Sequence, residues 1–138
     1  MSLTLAILKP DCVRRRLIGK AIAFIEEHGF RIVCLKMVRL QRDEAGAFYD
    51  VHTGKEYFEP LLKFMTSGHS VLLVLEHEKA VQHFRKIIGA TDPQKAAEGT
   101  LRRMYAENVR ENIVHGSDSD ENAKKEIAFF FPTMEIIK

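Results

Sequence analysis

The chain has 138 residues, 46% of them hydrophobic and 29% charged, which suits one compact domain spanning residues 1–138. Its 21 Lys and Arg against 19 Asp and Glu leave a formal charge of +2, too balanced to make nucleic acid the main partner. No stretch approaches the roughly 20 apolar residues of a membrane helix. No basic region precedes the first apolar run, so a secretory signal is not expected. Cys12 and Cys34 form neither a CxxC motif nor a dense disulfide framework. These features predict a cytoplasmic protein with reduced thiols and no membrane partner.

Leu3 to Leu8 reads as a short buried strand stopped by Pro10, which places Lys9 at a strand end. Ile18, Ala21, Ile22 and Ile25 recur at helical spacing, and Gly29 follows where a left-handed cap is expected. Phe30 to Leu40 alternates and is β-branched, so it predicts a second strand, long enough for sheet or dimer-edge pairing. Asp43 is positioned to cap a helix running to about His52, and a second short helix follows from Phe58 to Met65. Ser70 to Leu75 is a buried strand. Glu78 to Ile88 sets Val81, Phe84, Ile87 and Ile88 on one helix face, with Gly89 as terminator. The irregular segment from Gly89 to Glu111 is long for a compact domain, and such segments are usually functional. Asn112 to His115 reads as a last strand and Ser119 to Phe131 as a last helix. Two strand–helix–strand units in sequence imply a split βαβ sandwich with helices on one sheet face.

Several familiar sites are excluded. There is no HExxH, no paired Cys ligands, and the six histidines are scattered, so a structural metal site is not expected. Gly19-Lys20 imitates the end of a phosphate-binding P-loop, but Arg14 stands where the first glycine belongs and Ala21 where Ser or Thr belongs. No GxGxxG occurs. A phosphate site here must use side-chain cations and isolated backbone donors.

Asn112-Ile113-Val114-His115-Gly116-Ser117-Asp118-Ser119 sets a histidine at a strand end, before a helix, where a reactive side chain can be presented. Taken alone, His115 reads more simply as a turn histidine. Glu126 lies beside Ala123, Ile127 and Phe130 at the border of the last helix's apolar stripe, where a carboxylate calls for a partner. An imidazole suits it, because a carboxylate accepting one ring N–H fixes the tautomer and leaves the other nitrogen to attack. Periodicity alone fits a half-exposed helical Glu equally well. Lys9, Arg85, Thr91, Arg102 and Asn112 become a phosphate and ribose site only if the fold gathers them at His115.

This string, together with Leu8-Lys9-Pro10-Asp11, Phe48-Tyr49, Tyr57-Phe58, Phe64-Met65-Thr66-Ser67-Gly68 and Gly89-Ala90-Thr91-Asp92-Pro93, resembles the nucleoside diphosphate kinase family over essentially the whole chain. The resemblance implies a ferredoxin-like α+β fold with a four-stranded antiparallel sheet. It also implies ping-pong phosphoryl transfer between nucleoside triphosphates and diphosphates, with magnesium bound through the nucleotide phosphates. His115 matches the phosphorylated nucleophile, and Glu126 and Ser117 match the pair that orients its ring. Lys9, Tyr49 and Asn112 fall on the catalytic lysine, tyrosine and asparagine near the sugar and γ-phosphate; Arg85, Thr91 and Arg102 fall on phosphate-binding positions. Tyr57 stands where the family usually has a base-stacking Phe, and Val109 matches the opposite apolar wall. A homo-oligomer, tetramer or hexamer, is implied.

Departures from the family pattern are Cys12 after Pro-Asp, the basic run Arg14-Arg15-Arg16, and Arg103-Met104 after Arg102. The stretch after Phe131 is short, so assembly contacts made by longer-tailed members are not expected. The competing reading is a nucleic-acid-binding or regulatory protein on the same fold, using Arg14-Arg15-Arg16 with Arg103 and Arg110.

Overall fold

The computed structural model describes residues 1–132. Residues 133–138, and with them most of the short tail, lie outside the described residues. Four strands, β1 (Ser2–Leu8), β2 (Arg31–Val38), β3 (Ser70–His77) and β4 (Val114–Gly116), form one sheet in the order β2-β3-β1-β4, with every neighbouring pair antiparallel. This is the expected ferredoxin-like sheet.

Helices cover both sheet faces rather than one. Leu5, Ile7, Leu72 and Val74 point into a core shared with α3 (Arg42–Phe48), α4 (Phe58–Met65) and α7 (Asp120–Phe130). Ala6, Leu8, Val71, Leu73 and Leu75 point the other way, onto α2 (Ile18–Glu27) and α5 (Ala80–Ile88). The cause is legible in β1 and β3, which are apolar at consecutive positions rather than alternate ones, so neither face can be left to water.

Other boundaries move for local reasons. Pro10 does end β1, but it also opens a five-residue helix, α1 (Pro10–Arg14), because its missing N–H costs nothing at the first helical position. Asp43 does not cap α3. Gln41 holds that place, its N–H donating to Glu44 at 2.8 Å, and the helix stops at Phe48 before a single 3-10 turn, Asp50–His52. The Gly89–Glu111 segment contains one short helix, α6 (Leu101–Tyr105), capped by the Thr100 hydroxyl.

Two glycines let the loop and the short strand meet α5. Gly89 has φ 91°, and a Cβ there would stand 2.5 Å from Thr100 Oγ1. A Cβ on Gly116 would stand 2.8 Å from Phe84 Cδ2, so β4 reaches α5 only because this position has no side chain.

Candidate active site

The pairing of Ile7 with His115 puts the histidine at the sheet edge, within reach of α7. His115 Nε2 lies 2.8 Å from Glu126 Oε1. Ser117 Oγ donates to the same oxygen at 2.8 Å and accepts the Leu5 N–H at 3.2 Å. Ser117 is fully buried, so this chain of bonds ties the carboxylate to the central strand. With the carboxylate accepting, the ring proton sits on Nε2, and Nδ1 keeps its lone pair with no hydrogen-bond partner among the described residues. Phe48 contacts the imidazole nearly edge-on, ring centres 5.7 Å apart, and limits its rotation.

His115 and Glu126 open onto a cleft of about 1100 Å³. Lys9, Tyr49, Tyr57, Arg85, Thr91, Arg102, Val109 and Asn112 also line it, so the fold gathers residues that sequence spacing alone leaves scattered. Ser117 stands behind the wall, bonded to Glu126 rather than facing the cleft.

At the inner end, the Lys9 Nζ donates to Asn112 Oδ1 at 2.8 Å, and Asn112 Nδ2 donates to the carbonyls of Thr91 and Val109. Asn112 thereby joins the lysine to both loop walls. Burial, reinforced by the Arg102 charge and opposed by Asp11, pulls the Lys9 ammonium down to about 8. Arg102 donates to the carbonyls of Gly89 at 2.9 Å and Val114 at 2.7 Å. It therefore braces the loop against the His115 strand while keeping further N–H groups for an anion. Burial and the neighbouring Arg85 lower its proton affinity, but a guanidinium stays cationic at neutral pH. Burial, and then the Glu126 charge, raise the Tyr49 phenol, which keeps its proton.

Tyr57 and Val109 are 44% and 59% exposed at the cleft mouth, so an aromatic face and an apolar side chain remain open to a ligand. Tyr57 Oη lies 2.7 Å from His52 Nδ1. His52 lines the cleft and is a residue that pattern reading does not single out, because a 3-10 turn has no periodicity to read.

Two arginines of the basic run are engaged by their own chain. Arg14 donates to Ser67 and lies over the Phe64 ring, and Arg15 donates to the Tyr105 carbonyl.

A family model described as "Nucleoside diphosphate kinase" matches residues 2–136. The chain belongs to the nucleoside diphosphate kinase family. Among relatives bearing the name nucleoside diphosphate kinase, one from Chloroherpeton thalassium is 57% identical over 99% of this chain and 97% of the relative. Another, from Chlorobium chlorochromatii, is 54% identical over 100% of this chain and 99% of the relative. The structure superposes on the nucleoside diphosphate kinase of Aquifex aeolicus with a TM-score of 0.93 at 41% identity, covering 99% of each chain. It superposes on the Halobacterium salinarum nucleoside diphosphate kinase, solved in complex with CDP, with a TM-score of 0.96 at 36% identity, covering 99% of this chain and 91% of that one. Membership of the nucleoside diphosphate kinase family makes this chain a phosphotransferase, and nothing in the comparisons favours the nucleic-acid reading.

Proposed function

We propose that the chain moves the γ-phosphoryl group of a nucleoside triphosphate, chiefly ATP, to a nucleoside diphosphate through a phosphorylated intermediate on His115. The observation that carries this reading is the bond of His115 Nε2 to a Glu126 carboxylate that Ser117 holds in turn, on the wall of a cleft lined by cations. In the first half-reaction the Nδ1 lone pair forms an N–P bond. The bond from phosphorus to the β,γ-bridging oxygen breaks, and its electrons leave on the nucleoside diphosphate. Positive charge developing on the imidazole is stabilised by Glu126. A second diphosphate then attacks phosphorus, the N–P bond breaks, and the ring returns to its neutral form.

Lys9 and Tyr49 meet the transferring group, Arg85, Thr91 and Arg102 meet the remaining phosphates, and Asn112 meets the sugar. Tyr57 and Val109 hold the base between an aromatic and an apolar face, a recognition that every base satisfies. The donors turned to the phosphates are three cations and the Thr91 hydroxyl, and no group of three or more His, Cys, Asp or Glu fit to hold a metal occurs among the described residues. This donor set suits magnesium brought in on the phosphate oxygens, where it supplies charge neutralisation.

We also read the chain as a cytoplasmic homo-oligomer, tetramer or hexamer. No helix among the described residues is long and apolar enough to cross a membrane. Edge strand β2 carries half-exposed Leu35 and Met37, an apolar border suited to a second copy. Labelled ATP followed by a GDP chase tests the reaction: label should enter the protein and leave as GTP. Label that never enters, or that GDP cannot remove, refutes it.

A further inference from the structure

Ile113 has φ 77°, a conformation that a β-branched residue rarely adopts, in the turn that joins Asn112 to the His115 strand. Its side chain is fully buried in the core, so packing fixes the residue in place without removing the backbone strain. Three hydrogen bonds hold the turn. The Val114 N–H donates across it to the Asn112 carbonyl at 2.8 Å, the Lys9 N–H donates to the Ile113 carbonyl at 2.8 Å, and the Ile113 N–H donates to Oδ2 of Asp11 at 3.1 Å. Of these three only the last comes from a side chain, one that lies 102 positions away in sequence, and Arg102 adds its own side-chain bond at the Val114 carbonyl.

Asp11 is buried; its Oδ1 lacks a well-aligned hydrogen-bond partner, and of the backbone N–H groups besides that of Ile113 only those of Cys12 and of Asp11 itself act on the carboxylate. None of the salt bridges among the described residues includes it, and the cation that acts on it is Lys9, whose ammonium it supports in turn. Burial outweighs these partners and raises the Asp11 carboxyl above its usual range, so a carboxylate is costly to hold here.

We infer that Asp11 is a positioning residue for phosphoryl transfer: its carboxylate clamps the strained turn at Ile113 and so sets the Lys9–Asn112 pair against the His115 ring. The inference rests on the phosphohistidine reading above. Segments 9–11 and 112–114 are laced by the Lys9 N–H, the Lys9 Nζ and the Asp11 carboxylate. Without the carboxylate, Ile113 has a route back to negative φ, which rotates the peptides on either side and moves Asn112 and His115 relative to each other. In-line attack tolerates little such movement, because a displacement of about 1 Å is enough to cost about a hundredfold in rate.

The test uses full-length Asp11→Ala and Asp11→Asn. Three quantities are measured: the rate of His115 phosphorylation by saturating ATP in a rapid-mixing device, ADP affinity by calorimetry, and Ile113 amide exchange by NMR. Asp11→Ala should lose about a hundredfold in phosphorylation rate while ADP affinity changes by less than about threefold. Asp11→Asn, whose side-chain carbonyl still accepts the Ile113 N–H, should stay within about tenfold of the parent and keep that amide protected. An unchanged rate in Asp11→Ala overturns the inference. So does a loss explained wholly by weaker ADP binding, which would mean that Asp11 acts through the charge of Lys9, and so does an Asp11→Asn as slow as Asp11→Ala. Should Asp11→Ala fail to fold, Asp11→Asn decides: an exposed Ile113 amide with a full rate overturns the clamp. A parent chain that takes up no label sinks the phosphohistidine reading itself, whereas label in the parent with an unchanged rate in Asp11→Ala sinks only the clamp.

Discussion

His115 Nε2 and Glu126 Oε1 stand 2.8 Å apart, and the Ser117 hydroxyl donates to that same oxygen, so one carboxylate oxygen both reads the tautomer and is itself held still. Glu126→Gln keeps the size but removes the charge and offers an NH₂ group that favours the wrong tautomer. His115 phosphorylation at saturating ATP should fall by at least about tenfold while ADP affinity stays within about threefold. Rapid mixing beside equilibrium binding separates these. A helix-surface glutamate would instead leave the rate alone and change stability by at most about half a kcal/mol.

Lys9 gives a pH dependence with a definite sign. Burial, and then Arg102, hold its ammonium at about 8 in the unliganded protein, and a bound polyphosphate favours the charged form. ADP affinity should therefore fall as pH rises above about 8, and ADP binding at pH 9 should take up close to one proton. Calorimetry in buffers of different ionisation enthalpy measures that uptake, and Lys9→Gln should abolish it. For folding the sign is opposite. Between about 8 and the unfolded value of 10.5 the unfolded chain binds a proton that the folded chain does not, so this group makes stability rise with pH across that window.

Gly116→Ala tests the seating of the nucleophile's strand. The new Cβ would stand 2.8 Å from Phe84 Cδ2 and 3.2 Å from Ile88 Cδ1, both on buried α5 side chains with little room to move. Overpacking of this kind should cost about 1–3 kcal/mol, read as a lower urea midpoint at unchanged slope.

The strands and helices that carry the site were legible where one period ran long enough. The α4 bounds match the expected Phe58–Met65, and the apolar run of β1 and the α5 face stand where they were read. The two-sided core was also written in the consecutive apolar residues of β1 and β3, though an antiparallel sheet invites the expectation of one wet face. His115, Glu126 and the cations were nameable one by one, but their convergence depends on the β1–β4 register, which no local spacing encodes. Asp11 and Ile113 were less legible still. An isoleucine gives no signal that its φ will be positive, and its partner lies 102 residues away.

Tyr57 should stack on the base without reading its edge. Rates with adenine, guanine, cytosine and uracil nucleotides should then differ by no more than about a hundredfold, and Tyr57→Ala should weaken all of them by about tenfold, within the range of one lost stacking contact. Steady-state kinetics with the four diphosphates checks this. A much larger preference would point to a hydrogen-bonding base reader elsewhere in the cleft.

Glu126 occupies Nε2, so the transferred phosphorus should be found on the other ring nitrogen. The chain is incubated with ATP, freed of nucleotide, and examined by phosphorus and nitrogen NMR together with peptide mapping, before and after addition of GDP. One acid-labile phosphoryl group should appear on Nδ1 of His115, be discharged by GDP, and be missing in His115→Asn. Phosphorus on another residue, on Nε2, or nowhere in a chain that still converts GDP to GTP would contradict this.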